Sequence, residues 1–211
     1  MMGRLNALTC LCILVLAVVQ PAVAGWTVDN LTGRAELSRP GNDGSILLTR
    51  GSELKGDKGT LALSQGSSLR LRYSDGSALS LSSGSVLKFI KGGLWLKLKS
   101  GRILLELGKE LAGKLRLGFL SSVVRASGSG TFSLSVSKSG KQVLFVVAGA
   151  VSVARKGFSR VIQKGMKAAW VKGELKTRSF VSEKLKGWWA NTMGVAAVLL
   201  PAEKKAEKES C

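Results

Sequence analysis

Three pairs of cations stand out as groups able to act on a ligand: Arg70 and Arg72 flank Leu71, Lys97 and Lys99 flank Leu98, and Lys114 and Arg116 flank Leu115. Their chemistry is electrostatic, because guanidinium and ammonium groups bind phosphates and carboxylates by charge-assisted hydrogen bonds. Few residues offer a catalytic alternative. His is absent and Cys numbers three, so Ser-His and Cys-His dyads and the usual metal-ligand clusters are missing. Gly128-Ser129-Gly130 lacks the third glycine and the following helix of a dinucleotide loop, and Gly140-Lys141 is followed by Gln142 where a phosphate loop needs Ser or Thr. Glu106 and Glu110 are expected in a solvated loop near a strand end beside Lys109, which leaves a carboxylate-pair hydrolase as a remote alternative. The chain is therefore read as non-enzymatic, with no metal and no organic cofactor.

The elements that must position these cations are strands. From Gly33 to about Lys176, apolar and polar residues alternate in short runs, as half-buried strands require. The runs at 60–64, 68–73, 77–81, 94–99 and 131–136 are clear examples, and Ser74-Asp75-Gly76 and Lys138-Ser139-Gly140 supply turns. Short strands at this spacing predict an all-β fold of twisted antiparallel sheets, as a sandwich or a solenoid-like domain, although no fixed repeat unit is found. Within a strand, residues two apart share a face, so each cation pair points away from its leucine. If the three strands are neighbours, the six cations form one patch.

The two ends read differently. Residues 1–24 carry Arg4, an apolar run and Pro21-Ala22-Val23-Ala24, which predicts a secretory signal cleaved between Ala24 and Gly25. Cys10 and Cys12 would leave with it, so Cys211 is the lone thiol of the mature chain, either inert or in an intermolecular disulfide. Residues 25–177 form the β domain. Leu185, Trp188, Trp189, Thr192, Val195, Ala196 and Leu199 fall at helical spacing before Pro201, predicting a C-terminal α-helix over 178–201 and a charged tail over 202–211. Lys184, Lys186, Trp188 and Trp189 either close the β core or form a membrane-interface anchor.

The order of motifs resembles the FecR-type periplasmic domain family. Gly51-Ser-Glu-Leu-Lys-Gly-Asp57 resembles the family's opening Gly-x-x-Leu-x-x-Gly-Asp, and Ser74-Asp75-Gly76-Ser77 its Asp-Gly-Ser turn. Gly101-Arg102-Ile103, Gly130-Thr131-Phe132, Gly149-Ala-Val151-Ser-Val153 and Gln163-Lys164-Gly165-Met166 resemble its later elements, so the likeness spans about residues 26–173. The resemblance implies a non-enzymatic all-β periplasmic module. In the regulators that give the family its name, such a module relays signals from an outer-membrane receptor to a sigma factor. This chain is expected to be a secreted, stand-alone version, without the anti-sigma segment or the spanning helix.

The charge then points to a partner. The 211 residues hold 32 Lys and Arg against 13 Asp and Glu, a formal net charge of +19, and the stretch 60–180 carries 21 cations against Asp75, Glu106, Glu110 and Glu174. A field of this sign steers anionic partners and weakens with salt. For a periplasmic address these are lipid head groups, lipopolysaccharide phosphates, wall polymers or an envelope protein. Nucleic acid fits the charge but not the address, and aromatic residues are too sparse for a base-stacking platform. The alternatives are a structural protein held at a membrane surface by charge and the Trp-bearing helix, and a signalling component related to sigma-factor regulators. The oligomeric state is left open.

Overall fold

The computed structural model describes residues 25–54, 58–119, 122–155, 157–171 and 174–180. Their regular structure is all β. One sheet runs, in lateral order, β4 (Glu53–Leu54), β1 (Trp26–Thr32), β6 (Ser68–Tyr73), β7 (Ala78–Leu81), the second half of β9 (Trp95–Leu107), β12 (Gly130–Val136), β13 (Gln142–Ala148), β16 (Met166–Val171) and β17 (Glu174–Ser179). The other runs β3 (Ser45–Leu47), β2 (Ala35–Ser38), β5 (Gly59–Leu63), β8 (Val86–Lys91), the first half of β9, β10 (Arg116–Phe119), β11 (Ser122–Ala126), β14 (Ala150–Arg155) and β15 (Phe158–Gln163). Strand β9 belongs to both, changing sheets at Gly101. The expected antiparallel pairing holds except between β9 and β10, which run parallel, so the architecture is mixed. Parallel pairing arises because β9 passes to the other sheet at Gly101, and the turn through Leu111 then brings β10 in beside the start of β9, with Arg116 opposite Trp95.

Alternation decides which side of each strand is covered. Leu69 and Leu71 in β6, Leu79 and Leu81 in β7, and Leu96 and Leu98 in β9 are all fully buried and meet across the two inner faces. Removing such a leucine from water contributes about 1.5–3 kcal/mol. Facing side chains from both sheets, among them Leu105, Phe132, Leu117 and Val124, leave a void of only about 10 Å³. At one end, Trp26 is fully buried, donates its indole N–H to the Gly93 carbonyl at 2.9 Å and packs edge-on against Tyr73 at 5.3 Å.

The Ser74-Asp75-Gly76-Ser77 turn does more than reverse the chain. Gly76 takes the positive φ of 82° that the turn requires. The Asp75 carboxylate accepts the backbone N–H of Ser77 at 2.8 Å and that of Leu111 at 3.1 Å, while Ser77 Oγ accepts the Gly108 N–H at 2.8 Å. The turn thereby pins the loop that leads into β10. Partial burial disfavours the Asp75 charge, but the donors at Ser77 and Leu111 outweigh it and hold the carboxyl below its usual range. A depressed native pKa gives stability that is full above the unfolded value near 4 and disappears as pH falls through the native value. Asp75→Asn should cost about 1–3 kcal/mol at pH 7, since one backbone donor loses its acceptor. The loss should shrink when urea midpoints are measured at progressively lower pH, as the wild-type carboxyl also protonates.

The end of the chain departs from expectation. Arg178 and Ser179, the first residues assigned above to a helix, lie in β17, because the alternation of Glu174 to Ser179 keeps pairing with β16. Lys184, Lys186, Trp188 and Trp189, the signal segment ending at Ala24, and Cys211 lie outside the described residues.

Candidate anion-binding face

The six cations singled out from sequence divide between opposite faces of the sandwich. Arg70 and Arg72 project from β6 in the first sheet, whereas Lys97, Lys99 and Arg116 belong to β9 and β10 in the second. Lys114 lies in the turn leading into β10. The single patch is therefore corrected: β6 pairs with β1 and β7, so it never adjoins the first half of β9.

Around β1, β6 and the second half of β9 in the first sheet, cations meet acids. Arg70 Nη2 donates to Glu106 at 2.7 Å and its Nε lies 3.6 Å from Asp29, while Arg72 Nη2 donates to Asp29 at 2.8 Å. The hydrogen bond from Arg72, reinforced by the charges of Arg72, Arg70 and Arg50, holds the Asp29 carboxyl below its ordinary value. Glu106 is thus a strand residue in an ion pair, not the loop residue expected. The alternation of Ile103, Leu105 and Leu107 carries β9 past Glu106 to the Asp75 turn.

The outer face of the second sheet is different. Register aligns Lys91 of β8, Trp95 of β9, Arg116 of β10 and Arg125 of β11 in one lateral row, with strands about 4.8 Å apart. An adjacent row holds Lys88 and Lys97, and Lys99 follows two residues along β9. Lys88, Lys91, Lys99, Arg116 and Arg125 are exposed and Lys97 is half-buried. No ion pair joins these six to an acid among the described residues. Lys88 lies directly opposite Lys97, and Arg116 directly opposite Arg125. Like charges so placed are destabilising, by amounts on the order of a few tenths of a kcal/mol upward.

Trp95 sits inside this field. Its indole leans from β9 onto β10, with Nε1 3.7 Å from where a Cβ would stand on Gly118. The missing side chain at Gly118 leaves room for the ring between Arg116 and Lys97. Lys88, Lys91, Arg125 and Trp95 escape a sequence reading based on cations two residues apart, since Lys88 and Lys91 are three apart, Arg125 has no cation two residues away and Trp95 is not a cation. Only the register gathers them. The arrangement can hold an extended polyanion by charge. Among the described residues no group of three acidic or thiol side chains gathers as metal ligands would.

No protein-family model matches the chain, and no curated protein matches its sequence. Solved structures do match the fold. Two crystal structures from Parabacteroides distasonis, each described as a "putative anti-sigma factor", align with a TM-score of 0.53, at 14% and 12% identity. In both cases the match covers 61% of this chain and 63% of the other, so this chain spans under two thirds of those proteins. At that identity the likeness is one of fold.

Proposed function

We propose that this chain is a non-enzymatic, FecR-like binding module of the cell envelope, secreted with cleavage after Ala24, that engages an anionic envelope component through the outer face of its second sheet. The observation that carries the reading is the set of six cations with no acid among them, including two like-charge cross-strand pairs. A sheet face that only needed solubility would be served by mixed charges, as around β1, β6 and the second half of β9 in the first sheet. Retaining a destabilising arrangement is what a binding site does. Surface phosphates or carboxylates of a lipid layer, lipopolysaccharide or wall polymer would meet several cations at once, each contributing about 1 kcal/mol near a charged surface.

Co-sedimentation tests it. The protein should pellet with vesicles rich in phosphatidylglycerol, or with acidic wall fragments, and not with neutral phosphatidylcholine vesicles. The bound fraction should fall steeply as salt rises from roughly 0.03 to 0.5 M, where screening shortens from about 18 Å to about 4 Å. Binding indifferent to both lipid charge and salt would remove the proposal.

A second reading has its own support in the likeness to structures described as anti-sigma factors: a signalling component whose partner is an envelope protein. Affinity capture from envelope extract separates the two, because a stoichiometric protein partner retained at high salt belongs only to the second. If Lys184, Lys186, Trp188 and Trp189 instead hold the protein at a membrane surface, a high-salt wash leaves it in the membrane pellet.

A further inference from the structure

The large apolar side chains that stand exposed among the described residues are Ile46, Leu47, Phe158 and Val161, at 41, 56, 46 and 54% exposure. All four lie on β3 and β15, the strands at the two opposite edges of the second sheet. The first sheet ends otherwise. Its edge strand β4 has two residues, one of them the exposed Glu53, and β17 exposes Glu174, Lys176 and Arg178. Short and charged edges discourage strand addition, whereas an apolar edge with free backbone groups invites it.

Strand direction identifies a partner for these edges. From β3 through β2, β5, β8, β9, β10, β11 and β14 to β15, every pairing is antiparallel except β9 with β10. The number of reversals is odd, so β3 and β15 run in opposite senses. A second copy shifted sideways in the same orientation therefore brings its β3 antiparallel to β15 of the first.

The side chains match in that arrangement. Leu47 pairs with Glu36 and Val161 with Ser152, which places both on the outer face, while Ile46 pairs with the buried Leu37 and Ile162 with the buried Val151, which places both on the inner side. Setting Leu47 opposite Val161 sets Ile46 opposite Ile162. The three residues of β3 then span Val161 to Gln163 and leave Arg160 just outside the pairing. The same register brings Asp43, in the turn before β3, to the end of β15 that carries Lys164.

We propose that β15 of one copy and β3 of the next join head to tail, extending the second sheet from molecule to molecule. Such an interface uses two different surfaces, so it does not close on itself and grows into chains. It rests on edge geometry and is independent of the anion-binding reading. The contact is short, and assembly should therefore depend on concentration.

Analytical ultracentrifugation of the purified protein should show a mass that rises with concentration without a plateau at the dimer. Leu47→Lys and Val161→Lys should each weaken association at least about tenfold, since each buries a charge among apolar partners. Mixed together, these two variants should form a one-to-one dimer and stop, because each keeps one intact and complementary edge. Far-UV circular dichroism checks folding, and Leu47→Ser and Val161→Ser replace any lysine variant that fails to fold. A wild type that stays monomeric at every concentration overturns the proposal. So does a Leu47→Lys variant that still dimerises while Val161→Lys does not, which would mean a symmetric β15–β15 contact, and so does a mixture that remains monomeric.

Discussion

Gly101→Val is expected to remove about 5 kcal/mol of folding stability, which is a large part of what a domain of this kind possesses. Gly101 is the residue at which β9 leaves one sheet for the other, and it adopts a φ of +94°, in the left-handed region that L side chains rarely take. A Cβ there would lie 2.6 Å from Ser85 Cβ and closer still to the Ser85 Cα and Oγ. Ser85 cannot withdraw. It is fully buried, its Oγ accepts the Arg102 N–H at 3.0 Å, and the same hydroxyl donates to the Arg102 carbonyl at 3.2 Å. Left-handed strain costs about 1–2 kcal/mol, overpacking about 1–3, and the disturbed hydrogen bonds about 1 each.

Urea denaturation followed by Trp fluorescence measures this. The midpoint should fall sharply with little change in slope. Gly66→Ala is the matched control, since Gly66 also has a positive φ, of 76°, but nothing lies within 4 Å of its Cβ position. That variant should lose only about 1 kcal/mol. Equal losses at the two positions would mean that the corner at Gly101 is not crowded by Ser85.

The second large effect is on binding. Reversing Lys97, Arg116 and Arg125 to Glu should weaken attachment to anionic vesicles about a hundredfold or more, on about 1 kcal/mol for each cation lost and further repulsion from each acid gained. The comparison that isolates the face is Lys167→Glu, Lys176→Glu and Arg178→Glu on the outer face of the first sheet, where Lys167 pairs with Arg178 and Lys176 with Ala169. Both triple variants change the net charge by the same amount. If net charge alone mattered, they would behave alike; if the second-sheet face is the site, the control should lose less than roughly threefold at physiological salt, where the field of the far face is screened. Lys97→Glu on its own should also fold at least as stably as the wild type, because it turns the opposition of Lys88 with Lys97 into an attraction, whereas the reversals at 116 and 125 exchange one like-charge pair for another. A gain in stability joined to a loss of binding is the signature of a site maintained at a cost.

Alternation of side chains was enough to place most of the strands. The runs at 60–64, 68–73, 77–81 and 131–136 correspond to β5, β6, β7 and β12 within a residue or two at their ends. Period-2 patterning is a local property, since successive side chains of a strand point to opposite faces whatever pairs beside it. The same locality made the turns at Ser74-Asp75-Gly76 and Lys138-Ser139-Gly140 legible, where Gly76 and Gly140 take positive φ. At 178–179 local reading erred: the residues continue a strand because β16 offers them a ladder, and a helical pattern drawn from later residues could not register that neighbour.

What the sequence by itself determined is the class of the fold, the inward leucines and the outward direction of the cation pairs on β6 and β9. Which outward faces coincide was decided by the tertiary structure. Arg70 and Lys97 obey the same alternation, yet one meets Asp29 and Glu106 and the other meets Lys88. The reason is that pairing partners in a sheet are chosen across long stretches of chain. The burial of both sheets against each other, the bend of β9 at Gly101 and the parallel docking of β10 set that choice together, and no window of sequence contains all of them.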